Sequence, residues 1–355
     1  MSATADRPAW PERPERPAWP ERRDTRSVSP RRLLLRRFRR SRSGMVGLAI
    51  IVLLVLVATF AGVVAPGNPL ALDAPGLQEP SWTYPFGTDN LGRDLYVAVV
   101  HGARTTLSVV FWTLLISTAI GLPLGIYLGF KRNVASATLY RFTELVQVFP
   151  RFYLALLVVG LYGSSQRNLI LVLAFTSWTN LARVVRAETL ALKEREFVSA
   201  ARSYGAPDRR ILRRHLFPHV LPASVVMISL TASRVTLIEA SLSFLGLGDP
   251  NKISWGFLAS NATRYLHSAW WMLVFPGAAI AIAVIGFNLF GDGLADILRP
   301  STVPGTTGGR RWRRRTPKPP DEPPPTTAVT LEDVPPEDDL VGVPTPAIRD
   351  PIVTS

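Results

Sequence analysis

A series of long apolar stretches, separated by polar and charged connections, constrains this chain more than any other feature of its sequence. Of its 355 residues, 47% are hydrophobic, and they are concentrated between two polar tails. A helix needs roughly 20 consecutive apolar residues to cross the hydrocarbon core of a bilayer. The sequence therefore predicts an all-α, polytopic membrane protein with six transmembrane helices. The predicted spans are 45–64, 105–130, 142–161, 168–185, 220–240 and 271–289.

The distribution of positive charge predicts the orientation of these spans. Segments 131–141 and 186–217 and the chain from 299 onward carry most of the cations that flank the spans. Because such residues favour the cytoplasmic side, both termini are predicted to be cytoplasmic. A net charge of +14 is also compatible with nucleic-acid binding, since basic patches neutralise phosphates. The arginines lack any nucleic-acid-binding fingerprint, so we predict no such partner.

The composition of the two tails predicts that both are disordered. Residues 1–43 are rich in proline and arginine, and residues 301–355 are rich in proline and threonine before becoming acidic. Such segments cannot bury enough apolar surface to fold. The predicted organisation is a cytoplasmic tail at 1–43, a six-helix transmembrane domain at 44–300 and a second cytoplasmic tail at 301–355.

Missing residue types and motifs exclude several kinds of chemistry. The chain has no cysteine, which excludes disulfides, thiolate catalysis and Cys–His metal sites. It has no G-x-x-x-x-G-K-[ST] phosphate loop and is therefore not an ATPase. Its four histidines lie at span ends or in loops, and a nucleophile elbow is missing, which argues against an intramembrane serine hydrolase. We predict no enzymatic activity, and no metal or cofactor bound by this chain.

A charged connection at about 186–218 interrupts the apolar pattern. Gly205 tolerates the positive φ of a helix end, and Pro207 followed by Asp208 fits the first turn of another helix. The pattern predicts a helix, a break and a second helix. This connection is either a bent two-helix knob on the cytoplasmic face or an ordinary amphipathic link between spans.

The same connection resembles the EAA loop of binding-protein-dependent ABC importer permeases. That family's pattern is EAA, three residues, Gly, nine residues and I-x-L-P, and this chain has SAA, Gly and HLFP at the same spacing. It departs at Ser199, where Glu is usual, and at Phe217, where Leu is usual. His215 in place of Ile is similar to the dipeptide and oligopeptide branch. The residues that the resemblance assigns to ATPase coupling are Ser199, Ala200, Ala201, Gly205, Ala206, Asp208, His215 and Pro218.

Four further segments are similar to signatures of the C-type permease subunit of dipeptide and oligopeptide importers. They are FGTDNLGRD at 86–94, EASLSFLGLG at 239–248, SWG at 254–256 and FNLFGDGLADILRP at 287–300. Together with the loop they cover about residues 84–300, in the expected order. The two tails match nothing in that family.

The resemblance implies the type I ABC importer permease fold and import of di- and oligopeptides across a bacterial cytoplasmic membrane. It also implies four kinds of partner: a B-type permease subunit, two ATP-binding subunits or domains holding ATP and Mg, an extracytoplasmic binding protein, and membrane lipid. Similar permeases carry nickel, glutathione or haem, so the substrate stays open. A secondary transporter is the alternative class, but it usually shows paired broken helices or several charges in mid-membrane.

Some residues inside the predicted spans are candidates for packing or transport. Gly121, Gly125 and Gly129 form a G-x-x-x-G stripe, which allows close packing either within the chain or against a second permease. The candidates for the translocation path or gate are Arg234, Glu239, Asn288 and Asp292. Ionisable residues inside a membrane are functional candidates by default. Arg234 either lines the path, pairs with the partner permease or extends to the external surface, and the polar residues at 288–296 form either a gate or a solvated helix end.

Overall fold

The computed structural model describes residues 38–39 and 41–298, which include almost the whole predicted transmembrane domain. This part of the chain is helical and contains no strand, apart from an isolated bridge between Thr88 and Asp94. The helices are α1 (Arg42–Thr59), α2 (Ala61–Val64), α3 (Leu95–Phe130), α4 (Val134–Val148), α5 (Arg151–Tyr162), α6 (Gln166–Lys193), α7 (Glu196–Ser203), α8 (Asp208–Arg210), α9 (Phe217–Phe244), α10 (Trp255–Ala262) and α11 (Trp271–Leu298). The predictions for the two tails lie outside the described residues, apart from 38–39 and 41–43.

Six membrane crossings are present if one bent helix pair is counted as a single span. Five helical segments are long and apolar enough to cross a bilayer, and α4 with α5 passes the same test as a pair. The all-α, multi-span prediction is confirmed. The prediction of one continuous third span at 142–161 is wrong, because α4 and α5 meet at an angle of 80°.

The break between α4 and α5 follows from the chemistry of Pro150. A proline has no N–H to donate, and its ring disfavours helical geometry at the preceding residue. Phe149 accordingly takes an extended conformation with ψ of 124°, and Pro150 itself has ψ of 120°. The third span is therefore two half-helices.

The other spans begin earlier or end later than the apolar stretches, because polar groups satisfy the helix ends. Asp94 caps α3 by accepting a hydrogen bond from the Tyr96 N–H at 2.8 Å, eleven residues before the predicted start of that span. Ser41 caps α1 in the same way. At the other end, α6 continues to Lys193, whose ammonium donates to the Gly129 carbonyl at 2.9 Å.

Contacts between loops show which ends of the spans lie on the same side of the bundle. The grouping agrees with six spans that cross the membrane in alternating directions. The turn after α3 contacts the loop after α6 through Lys131–Asp208 at 2.7 Å and Arg132–Glu194 at 3.4 Å. At the other ends of the spans, the Gln166 N–H donates to the Asp249 carboxylate at 3.4 Å. The predicted cytoplasmic segments 131–141 and 186–217 therefore lie on one side.

The three glycines of the predicted stripe let α3 lie directly against α6. A Cβ atom at Gly121 would lie 2.7 Å from the Trp178 carbonyl oxygen, and one at Gly125 would lie 2.6 Å from that of Ala182. At Gly129 it would meet the Thr189 Cβ at 2.5 Å. The stripe therefore packs within the chain, which was one of the two alternatives left open by the sequence.

A second set of glycines brings the first and last spans together. A Cβ atom at Gly47 of α1 would lie 2.3 Å from the backbone nitrogen of Phe290 in α11. One at Gly293 would lie 2.2 Å from the Gly44 Cα. Sequence reasoning missed this contact, because its glycines are distributed over two spans at opposite ends of the chain.

We expect Gly125→Ala to destabilise the bundle. Alanine normally stabilises a helix relative to glycine by about 0.5–1 kcal/mol, but here the new methyl group meets the backbone of α6. Overpacking of this kind costs about 1–3 kcal/mol. The measurement is the unfolding midpoint of the purified protein in detergent. Gly277→Ala in α11 is the matched control, because nothing lies within 4 Å of its added Cβ. Equal effects of the two variants would contradict this account of the α3–α6 contact.

Candidate functional site

The loop at 194–210 begins with a short helix, α7, that ends in a tight turn at Gly205. Gly205 has φ of +73°. Its N–H donates to the Arg202 carbonyl at 2.9 Å, and the Ala206 N–H donates to the Ala201 carbonyl at 3.0 Å. This pair of bonds is a Schellman motif, whose left-handed position favours glycine. The predicted break at Gly205 is therefore present.

The second helix of the predicted knob is the beginning of the fifth span. After Pro207, α8 continues through a π-helical segment, Ile211–Leu216, directly into α9. Pro218 and Pro222 lack the N–H groups that would bond to the carbonyls four residues earlier, and such disruption is compatible with the wider π-type turn. Pro218 thus lies inside a continuous helical segment, and the expected separate second helix is wrong.

A buried apolar cluster attaches this loop to the ends of three spans. Val198 of α7 is fully buried, as are Ile211 and Leu216 of the π segment. The other buried members come from α3, α6 and α9: Ile126, Phe130, Leu181, Val185, Leu192 and Val220. Burial of an aliphatic side chain contributes about 1.5–3 kcal/mol. The loop is therefore held rigidly on α3, α6 and α9, in what we call the mounting cluster.

The predicted coupling residues divide into an outward and an inward group. Ser199, Ala200, Gly205, Asp208 and Pro218 are exposed. Ala201, Ala206 and His215 are half-buried, and the two alanines pack against the mounting cluster. The outward group therefore leaves a surface with small side chains, where another protein's backbone has room to approach closely.

Sequence reasoning missed several contributors to this surface. Tyr204 stands at its tip and is 91% exposed. Phe197 stacks on His219, with ring centroids 5.2 Å apart. Lys131 and Arg132, from the preceding cytoplasmic turn, fix the loop through their ion pairs with Asp208 and Glu194. The only signal in the sequence was the presence of Val198 and Leu216 in a charged loop. Apolar residues in such a setting are commonly buried, which would have predicted an attachment of the loop to the bundle.

The residues proposed for the membrane path do not form one cluster. Arg234 is exposed on α9, whereas Glu239 is buried and accepts a hydrogen bond from the Ser243 hydroxyl at 2.8 Å. Asn288 of α11 accepts a hydrogen bond from the Ser233 hydroxyl of α9 at 2.9 Å. Asp292 is exposed one helical turn further along α11. Arg234 and Glu239 therefore occupy different environments, in agreement with their unfavourable spacing for a pair.

The segment at 86–94 forms a rigid structure at the opposite end of the bundle. Thr88 is buried, its hydroxyl donates to the Pro75 carbonyl at 2.7 Å, and its own carbonyl accepts from the Trp271 indole at 3.1 Å. Gly87 has φ of +74°, and a Cβ there would lie 2.8 Å from that indole nitrogen. Within residues 38–39 and 41–298, no group of three potential metal ligands is present.

Comparison with family models gives two matches that together span most of the chain outside the tails. Residues 121–303 match the model of the binding-protein-dependent transport system inner membrane component. Residues 29–80 match the model of the N-terminal transmembrane domain of oligopeptide transport permease C.

Individual proteins show the same similarity. A putative peptide transport system permease protein of Brucella suis biovar 1 is 36% identical over 274 residues, covering 77% of this chain and 92% of that protein. The oligopeptide transport system permease protein OppC of Bacillus subtilis is 35% identical over 270 residues, covering 74% of this chain and 87% of that protein. Among solved structures, a chain of the inward-facing MetNI methionine ABC transporter is similar with a TM-score of 0.48 and 21% identity, covering 57% of this chain and 97% of that chain.

We expect Val198→Thr to loosen the loop from the bundle. The change keeps the shape of the side chain but places a hydroxyl group among apolar neighbours, which costs about 1–3 kcal/mol. The measurement is tryptic cleavage after Arg202 in the purified protein, followed by mass spectrometry. Cleavage should be several-fold faster in the variant because the helix detaches more often. Ala200→Thr is the control, because Ala200 is exposed on the same helix. Unchanged cleavage in Val198→Thr would contradict the mounting function.

Proposed function

The chain belongs to the family of binding-protein-dependent transport system inner membrane components, and we propose that it is the C-type permease subunit of an ATP-driven peptide importer. The similarity to peptide permeases over three quarters of the chain supports peptides as the substrate class. A permease of this kind gives the substrate a route through the membrane and hydrolyses no ATP itself.

The observation that carries this proposal is the rigid attachment of the 194–210 loop to α3, α6 and α9. A loop that transmits force needs an exposed surface for its partner and a stiff connection to the helices that move. The exposed Ser199 and Ala200 supply the first, and the mounting cluster supplies the second. Because α8 continues into α9, a displacement of the loop is passed directly to the fifth span.

The proposed coupling partner is an ATP-binding subunit that receives α7 in a groove. The coupling surface is formed by Ser199, Ala200, Ala201, Gly205, Ala206, Asp208, His215 and Pro218. The replacement of the usual Glu by Ser199 removes one charged contact from that surface. Arginines around the loop leave it basic, so we expect an acidic rim on the partner.

The other proposed partners are a B-type permease subunit and an extracytoplasmic binding protein. ATP and Mg are held by the two ATP-binding subunits or domains. The side of the bundle that carries the loop faces the cytoplasm, because it also carries most of the cations, and both termini lie on that side. The membrane is the bacterial cytoplasmic membrane.

Within the membrane, we assign Arg234 to the translocation path and Asn288 with Asp292 to its cytoplasmic end. The exposed position of Arg234 on α9 supports this assignment. The hydrogen bond between Ser233 and Asn288 joins α9 to α11 next to it. Glu239 is not part of the proposed path, because its carboxylate is buried among the helices.

We expect Gly205→Ala to reduce peptide uptake about tenfold. The left-handed conformation costs a non-glycine residue about 1–2 kcal/mol, and 1.4 kcal/mol is a factor of ten in population. The added Cβ meets no atom within 4 Å, so the effect acts on the turn and not on packing. The measurement is uptake of a labelled short peptide by cells lacking the chromosomal gene and complemented with each variant.

Gly246→Ala provides a closely matched control for that experiment. Gly246 ends α9 in the same type of turn, with φ of +80°, its N–H bonded to the Ser243 carbonyl, and open space around its Cβ. It lies at the opposite end of the fifth span from the loop. Both variants should insert normally, as checked by immunoblot of membranes. If they lower uptake equally, the loop has no special coupling function; if wild type restores no uptake, the peptide assignment is wrong.

A further inference from the structure

Two arginines lie on contacting helices inside the membrane region, and neither has an acidic partner in the part of the chain that the structure describes. Arg151 begins α5, and Arg234 lies on α9 about 15 Å along the helix axis before its end at Phe244. The residues next to them, Phe152 on one side and Ala232 and Val235 on the other, pack in one apolar cluster. The two helices that carry these arginines, α5 and α9, are in contact.

Neither arginine has a carboxylate within ion-pair distance among residues 38–39 and 41–298. Arg234 is exposed on the surface of the chain and Arg151 is half-buried. Charged side chains inside a membrane are costly and usually pair with each other, with backbone carbonyls or with a transported ion. Two unpaired cations on contacting helices therefore indicate that an anion completes this site in the working transporter.

The helix break places a further feature suited to an anion at the same point. Arg151 is the first residue of α5, which follows the 80° bend and has no side-chain cap at its N-terminus. The N-terminus of a helix carries a partial positive charge and free N–H groups. Non-helical backbone at membrane depth is tolerated only where protein covers it or where it lines a water-filled cavity, and the side chain of Phe149 at the break is 60% exposed.

We propose that Arg151, Arg234 and the N-terminus of α5 form a binding site in the translocation path for the carboxylate of the transported peptide. A carboxylate has two oxygens, and each can accept hydrogen bonds from one guanidinium group. Every unmodified linear peptide carries such a group at its C-terminus, whatever its side chains. The site would therefore hold peptides of different sequence in one orientation. This inference rests on the proposed peptide importer.

The neighbouring side chains fit a site that binds the terminal carboxylate and accepts peptides with different side chains. Tyr153, two residues after Arg151, is 68% exposed, and Leu237, one turn after Arg234, is 48% exposed. These apolar surfaces offer contacts without directional requirements. An acidic side chain of the second permease is the competing occupant, and it predicts loss of assembly when the arginines are removed.

The test uses the complete transporter, with its partner permease, ATPase subunits and binding protein, reconstituted in proteoliposomes. The probes are labelled tri-alanine and its C-terminal amide. Arg151→Gln and Arg234→Gln should each lower the maximal uptake rate of tri-alanine about tenfold, the value of one charge-assisted hydrogen bond. The KM should be unchanged, because the binding protein captures the peptide first. Uptake of the amide should remain at the wild-type rate.

Two further variants separate recognition of the carboxylate from a merely structural function. Arg151→Lys and Arg234→Lys keep the charge and should recover most of the lost rate. Arg264→Gln removes an exposed arginine near α10, outside the spans. It should leave the uptake rates of tri-alanine and of its amide unchanged. If the wild type rejects the amide, the contrast between the Gln and Lys variants decides the question alone.

Every other outcome would contradict the inference, and each one identifies a different reason. Wild-type transporter that takes up neither probe contradicts the proposed peptide importer itself. Normal tri-alanine uptake by the Gln variants leaves the importer intact and removes the carboxylate site. Equal losses of the uptake rate for tri-alanine and for its amide show that the arginines do not bind the terminal carboxylate. Failure of the Gln variants to co-purify with the second permease assigns the arginines to an ion pair between subunits.

Discussion

At the end of the bundle that carries the 194–210 loop, the backbone of α3 lies directly against α6, because Gly121, Gly125 and Gly129 have no side chains to separate them. The consequences extend beyond these two helices. Lys193 at the end of α6 reaches the Gly129 carbonyl only because the helices are so close. Phe130 and Val185 enter the mounting cluster for the same reason. The close contact therefore fixes the platform on which the loop is built.

This platform attaches a short loop firmly to a membrane helix, as the proposed coupling requires. An isolated eight-residue helix is unstable in water, so α7 depends on Val198 and its buried neighbours for its position. After the turn at Gly205, α8 continues through the π-helical segment into α9. The same helix carries Arg234 and, through Ser233, contacts Asn288 of α11. The continuous segment Asp208–Phe244 thus connects the loop that carries the proposed docking surface with the residues proposed for the path.

Hydrophobicity and motif spacing predicted the number of spans and the position of the loop, but not the break in the third span. Pro123, Pro222 and Pro276 all lie inside helices, whereas Pro150 separates two helices at 80°. The sequence contains the same residue type in each case, and the outcome depends on whether neighbouring helices can satisfy the freed carbonyls. The G-x-x-x-G stripe was visible from the sequence, while its partner helix was not. The sequence did not indicate that Glu239 is buried, because its burial depends on how α9 packs against the other helices.

The charges of this chain divide according to whether the chain itself satisfies them. On the loop side, Lys131 pairs with Asp208, and Arg186 lies 3.9 Å from the centre of the Tyr140 ring. These contacts hold the platform together and need no other molecule. Arg151 and Arg234 lie deeper, where an unpaired charge is costlier, and neither pairs with an acid among the described residues. A transported anion would relieve the cost of these two unpaired charges, as the proposed carboxylate site requires. The α4–α5 break and Arg234 on the contacting helix α9 therefore both belong to the proposed site.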